Sequence, residues 1–212
     1  MKTRYDRIAL VLLSAALAFT AVTPAAADVA SSAAAAGTVA AEKTNPTYDA
    51  ALARRVLVAQ GVLKQSQTTT TGLKKKVSRQ EFAKMLVQLS PYKDKVGTTV
   101  KTSMYSDVKR TSAYAPYIRI AVENGWMKGN LSGKFRPKQA VTLQESVAAV
   151  LAVLGYQDSD FHGSLASAKM SFYKAQKLDT NIRKKASAAM TYKDMTCLLY
   201  NMQVTADKSG TI

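Results

Sequence analysis

Three stretches of this chain obey one rule: an apolar residue, a Ser or Thr, two variable residues, an acid, and then an apolar helical pattern. They are Val77-Ser78-Arg79-Gln80-Glu81, Val141-Thr142-Leu143-Gln144-Glu145 and Met190-Thr191-Tyr192-Lys193-Asp194. A hydroxyl at a helix N-cap accepts a hydrogen bond from a first-turn amide, and an acid three residues later reaches back to the cap's own N–H. The acid also suits the positive end of the helix dipole. Glu81, Glu145 and Asp194 are therefore read as helix-cap residues. Behind the caps, Phe82, Met85, Leu86 and Leu89, then Val147, Val150, Leu151 and Leu154, then Met195, Leu198, Leu199 and Met202 fall at helical spacing. The middle helix is apolar on more than one side, which places it toward the centre of a fold.

A second amphipathic element precedes each cap. Residues 49–59 form one, stopped near Gly61. Residues 115–124 form another, with Pro116 in its first turn and Gly125 as its stop, and residues 165–177 a third. Sixteen residues separate Gly61 from Val77, and sixteen separate Gly125 from Val141. Such internal self-similarity takes precedence over any local reading. The expected fold is mainly α: helix, loop, helix, three times over, with no strands. The Lys/Thr-rich stretch 94–104 is the best place for short β pairing, and a poor one.

The N-terminus bears on where such a chain works. Lys2, Arg4 and Arg7 precede an apolar run from Ile8 to Val22, followed by Pro24 and Ala25-Ala26-Ala27. This is the order of a secretory signal peptide with cleavage after Ala27. The run is short for a membrane-spanning helix, which needs about 20 residues. Residues 28–46 are Ala/Ser/Gly/Thr-rich and cannot bury enough apolar surface to offset ordering, so they read as a flexible linker. The repeats then occupy 47–92, 103–155 and 161–204, and 205–212 reads as a frayed tail. Thirty Lys and Arg against fourteen Asp and Glu give a net charge of +16. A balance of this size points to an anionic partner. Export excludes cytoplasmic nucleic acid, and no transmembrane segment is expected after signal cleavage. An anionic membrane surface and an anionic cell-wall polymer remain.

The middle repeat is the most informative. It runs Tyr105-Ser-Asp107-Val108, Ala121-Val-Glu-Asn-Gly125, Gly129, Gly133-Lys134-Phe135-Arg136-Pro137 and Val141-Thr142-Leu143-Gln144-Glu145. It resembles an S-layer homology repeat, with that family's aromatic-x-Asp-Val start, Gly-x-Phe-x-Pro loop and a relative of its Thr-Arg-Ala-Glu helix start. The first and third repeats match at helices and caps only. The resemblance implies a pseudo-threefold arrangement around a central three-helix bundle. It also implies non-covalent binding of an anionic secondary cell-wall polysaccharide, often pyruvylated, at the surface of a bacterium. The family's motif Arg is present here only as Arg79; Leu143 and Tyr192 stand in its place elsewhere.

The candidate polymer-binding residues follow. Arg79, read as exposed at a capped helix start, can donate two parallel hydrogen bonds to a carboxylate. Ser78, Asp107, Gly133, Phe135 and Thr142 come with the motif. Trp126 can stack on sugar. Lys74, Lys75, Lys76, Lys134 and Arg136 belong to basic clusters that occupy the same loop of each repeat, as do Lys138 and Arg183-Lys184-Lys185. His162, the single histidine, lies with Asp158 and Asp160 in a poor metal set, and Cys197 reads as a structural thiol. Neither a cofactor, a metal nor an enzyme is expected. The alternative function is an exported structural or regulatory protein that uses the fold to bind another surface protein.

Overall fold

The computed structural model describes residues 49–98 and 100–212, which lie in one compact unit, Tyr48–Ile212. The signal-peptide and linker readings lie outside the described residues. Among the latter there are seven α-helices: α1 Ala50–Ala59, α2 Thr70–Lys74, α3 Arg79–Gln88, α4 Ala115–Glu123, α5 Leu143–Val153, α6 Leu165–Ala175 and α7 Tyr192–Gln203. The protein is mainly helical, as expected. The short helix α2, in the loop of the first repeat, was not legible: Thr69 caps Gly72 there, in a run of threonines with no apolar period.

All three capping boxes form. Ser78 accepts from the Glu81 amide while Glu81 Oε2 accepts from the Ser78 amide at 2.8 Å. The Thr142–Glu145 and Thr191–Asp194 boxes repeat this, with return bonds of 2.9 and 2.8 Å. The caps do more than start helices, because the segments before them bond to one another in a closed ring. Val77 N–H donates to Met190 C=O at 2.9 Å, Met190 N–H to Val141 C=O at 2.9 Å, and Val141 N–H to Val77 C=O at 3.0 Å. All three side chains are fully buried.

The first amide of each capped helix continues the pattern. Arg79 donates to Gln139 C=O, Leu143 to Ala188 C=O, and Tyr192 to Lys75 C=O, at 2.8, 2.9 and 3.0 Å. Amides left orphaned by a helix start must find partners when buried; here each finds one on another repeat. The β pairing of the described residues is limited to three isolated bridges, Lys76 with Thr191, Ser78 with Ala140 and Thr142 with Ala189. It lies at the caps, away from 94–104, because only there do the orphan groups face each other.

Helix pairing has the same cyclic order. The closest helix neighbours are α3 with α4, α5 with α6, and α1 with α7. Each capped helix thus packs on the first helix of the following repeat, and the first helix of the chain closes on the last. Gln60 Nε2, just past α1, donates to Gln203 Oε1 at 2.7 Å across that closure. The core is continuous through all three repeats, from Leu57 and Phe82 to Val150, Leu151, Met195 and Leu198.

The expected frayed tail is instead tied down. Lys208 N–H donates to Leu154 C=O at 2.9 Å and its ammonium meets Asp160 at 2.6 Å, while Asp207 caps a turn through Ser209 and Thr211. Its polar composition hides this, since the bonds are to the end of α5 and the turn beyond it. No helix among the described residues is long and apolar enough to cross a membrane.

Candidate functional site

The loop of the middle repeat is built around Asp107. Its two carboxylate oxygens accept from the Phe135 and Arg136 amides at 2.9 and 2.7 Å. Burial pushes this carboxyl up, but the backbone amide bonds together with the nearby Lys134 charge outweigh it and hold Asp107 below the usual carboxylate range. The loop amides draw Arg136 into the left-handed region, at φ 59°. Tyr105 leans on Phe135 at 5.6 Å and its hydroxyl accepts from the Gly129 amide at 3.1 Å. A Cβ on Gly129 would lie 2.2 Å from Tyr105 Cε1, so that position requires glycine for closeness. Gly133 sits in an exposed turn at φ +69°.

Arg79 is not exposed, contrary to the sequence reading. Only 3% of its surface is accessible. It reaches out of the first repeat and under the loop of the second. Nε donates to Phe135 C=O at 2.8 Å, Nη2 to Lys128 C=O at 2.7 Å, and Nη1 to Glu145 Oε1 at 2.8 Å. The guanidinium lies 4.8 Å from the Phe135 ring centroid. Desolvation lowers its pKa and Glu145 opposes that change. Phe135, fully buried beneath it, has no face to offer a ligand. These residues clamp one repeat to the next.

The equivalent position in the third repeat does the same with different chemistry. Tyr192 donates its hydroxyl proton to Glu81 Oε1 at 2.8 Å and accepts from Gln67 Nε2 at 2.8 Å. Burial first, and then the Glu81 bond, raise its pKa. Leu143 cannot act on the third acid, and Lys184 meets Asp194 at 3.1 Å instead.

A groove of about 710 Å³ opens beside the Arg79 clamp. Its walls are the 124–129 turn, one face of α5, the 155–158 turn and the start of α6. Gln144, Ala148 and Ala152 lie on one stripe of α5, four residues apart, and the small side chains of the two alanines leave the space open. Four cations line it, Arg79, Arg136, Lys128 and Lys169, against two carboxylates, Glu145 and Asp158. Asp158 bridges Lys169 at 2.5 Å and Lys128 at 3.0 Å, and these bonds hold it below the ordinary range. Arg136 approaches Glu145 only at 3.8 Å, and its buried Nε has no hydrogen-bond partner.

Of the other sequence candidates, Trp126 lines the groove but is 5% exposed and stands edge-on to Tyr92 at 5.8 Å. It is a wall, since its face is packed. The Ser78 and Thr142 hydroxyls are engaged in their caps. Lys74, Lys75, Lys76 and Lys134 are exposed and make no ion pair with the described residues. Lys128, Lys169 and Gln144 were missed. Only the start of a capped helix and the end of α4 drew attention to that region, and nothing local marks a lysine in α6 as facing it. His162 is exposed, and among the described residues no group of three or more His, Cys, Asp or Glu is assembled.

The chain is 30% identical over 122 residues to the Middle cell wall protein of Brevibacillus brevis (strain 47), covering 57% of this chain and 12% of that protein. It is 30% identical over 118 residues to the Surface layer protein of Brevibacillus choshinensis, covering 55% and 11%. The chain therefore spans only a small part of the length of these relatives. Residues 105–145, which hold Tyr105, Asp107, Phe135, Arg136 and Glu145, match the family described as S-layer homology domain.

Proposed function

We infer that the protein is an exported, non-covalent cell-wall-anchoring module that binds an anionic secondary cell-wall polysaccharide and performs no chemistry on it. The observation that carries this is the groove of the S-layer homology segment, which four cations, Arg79, Arg136, Lys128 and Lys169, line against two carboxylates, Glu145 and Asp158. The Arg136 guanidinium, on a half-exposed side chain 3.8 Å from Glu145, suits a carboxylate such as a pyruvate ketal on a sugar. Arg79, the motif residue, supports Arg136 indirectly by fixing Glu145 and the loop. The names of the relatives, a cell-wall and a surface-layer protein, favour the same setting. Export follows from residues 1–27 and predicts a mature N-terminus at Asp28.

The test is retention of the mature protein on purified walls before and after removal of the secondary polymer. Binding to native walls that disappears on stripped ones is expected. Equal retention on both, or none on native walls, overturns the proposal, and equal retention would favour a surface-protein partner. Arg136→Gln should weaken retention without altering the melting temperature.

A further inference from the structure

The cap ring has an electrostatic consequence that lies outside the groove. It draws together the three basic loop segments, since Lys75 contributes its carbonyl to Tyr192 and Lys76 bridges Thr191. Lys138 lies between Pro137 and Gln139, whose carbonyls receive the Gln80 and Arg79 amides. Lys185 adjoins Ala186, whose carbonyl receives the Gln144 amide. Lys74, Lys75, Lys76, Lys138, Arg183 and Lys185 are all exposed, and none makes an ion pair with the described residues. The acids nearest in the chain, Glu81, Glu145 and Asp194, are already held by Tyr192, Arg79 and Lys184. Helices α3, α5 and α7 all begin at this ring, so the positive ends of three helix dipoles add to the same field.

We propose that this end of the molecule is a second binding surface, for a linear polyanion that carries charge on successive units, such as a phosphodiester wall polymer. It builds on the wall-anchoring reading but needs no groove. A single anionic sugar suits the groove, where Arg136 is half exposed. A rim of dispersed cations binds weakly to any one charge and gains strength only by engaging many at once. Chain length is therefore the discriminating variable.

The experiment uses long-chain inorganic polyphosphate and orthophosphate as probes, with the full chain. Long polyphosphate should bind with a steep salt dependence, and orthophosphate at the same phosphate concentration should not compete. Lys75→Gln with Lys185→Gln should weaken polyphosphate binding about tenfold, which is about 1.4 kcal/mol. The charge-matched control is Lys93→Gln with Lys95→Gln. Those lysines follow the far end of α3, about 15 Å of helix from the ring. The control should bind about as well as the unaltered chain.

Equal loss in both pairs, or full competition by orthophosphate, overturns the proposal. The groove reading is judged separately. Rim variants that keep all polyphosphate binding, beside an Arg136→Gln variant that loses native walls, would sink the rim and leave the groove standing.

Discussion

Arg79 gives its guanidinium to three acceptors, all in the second repeat, and only one of them is charged. Arg79→Ala should therefore destabilise the fold by about 3 kcal/mol, because Glu145 and two carbonyls lose their donor together. Urea unfolding measures this; a variant within about 0.5 kcal/mol of the parent would return Arg79 to a solvated role. Gly129→Ala should also be costly, since Tyr105 would have to leave Phe135. Asp107 sets a pH dependence. Its folded pKa is depressed, so its contribution is present above its unfolded pKa and is lost as pH falls through the lower, folded value. The emission of Trp126, the single tryptophan, should hold steady down to the ordinary carboxylate value of 3.8 and change only in more acid solution. Caps and the motif acids were readable from residue order because their partners are three residues away. The burial of Arg79 was not, because its partners lie 49, 56 and 66 residues away.

Among elements, the joint between α1 and α7 carries the most risk. Leu57, on α1, is fully buried, and α1 has few other buried side chains. Leu57→Ala should cost about 2–5 kcal/mol and should raise hydrogen exchange in α7 as well as α1. Protection lost in α1 alone would mean that the closure is incidental. The helices themselves were legible from period and caps, and α4 and α6 differ from expectation only at their last residues. Pairing was not legible. A helix–loop–helix pattern suggests that the two helices of one repeat pack on each other, whereas each capped helix packs on its successor in the next repeat. The deciding contacts are the ring hydrogen bonds, and backbone amides leave no mark on side-chain composition.

At the scale of the whole molecule, closure changes how three repeats should unfold. Open repeat arrays melt in pieces because each unit touches only its neighbours. Here the first and last units are also neighbours, and Val77, Val141 and Met190 share one ring. Trp126 fluorescence in the middle repeat and helical circular dichroism over all three should give one coincident transition. Two separated transitions would show that the ring does not couple the repeats. The overall class was legible because a repeat announces itself by period. The groove was less so, being assembled from α5, α6 and two turns that adjoin only in the fold.

The clamps that join the repeats also constrain how this sequence can diverge. Arg79 of the first repeat serves Glu145 of the second, Tyr192 of the third serves Glu81 of the first, and Asp194 depends on Lys184 because Leu143 offers it nothing. The three units are therefore not interchangeable modules. A repeat duplicated, deleted or transplanted from a sister position would arrive with the wrong donor for its neighbour's acid. Drift at the start of α3 or α7 has to be answered by a compensating change in a different repeat, so these units are tied to one another as a set.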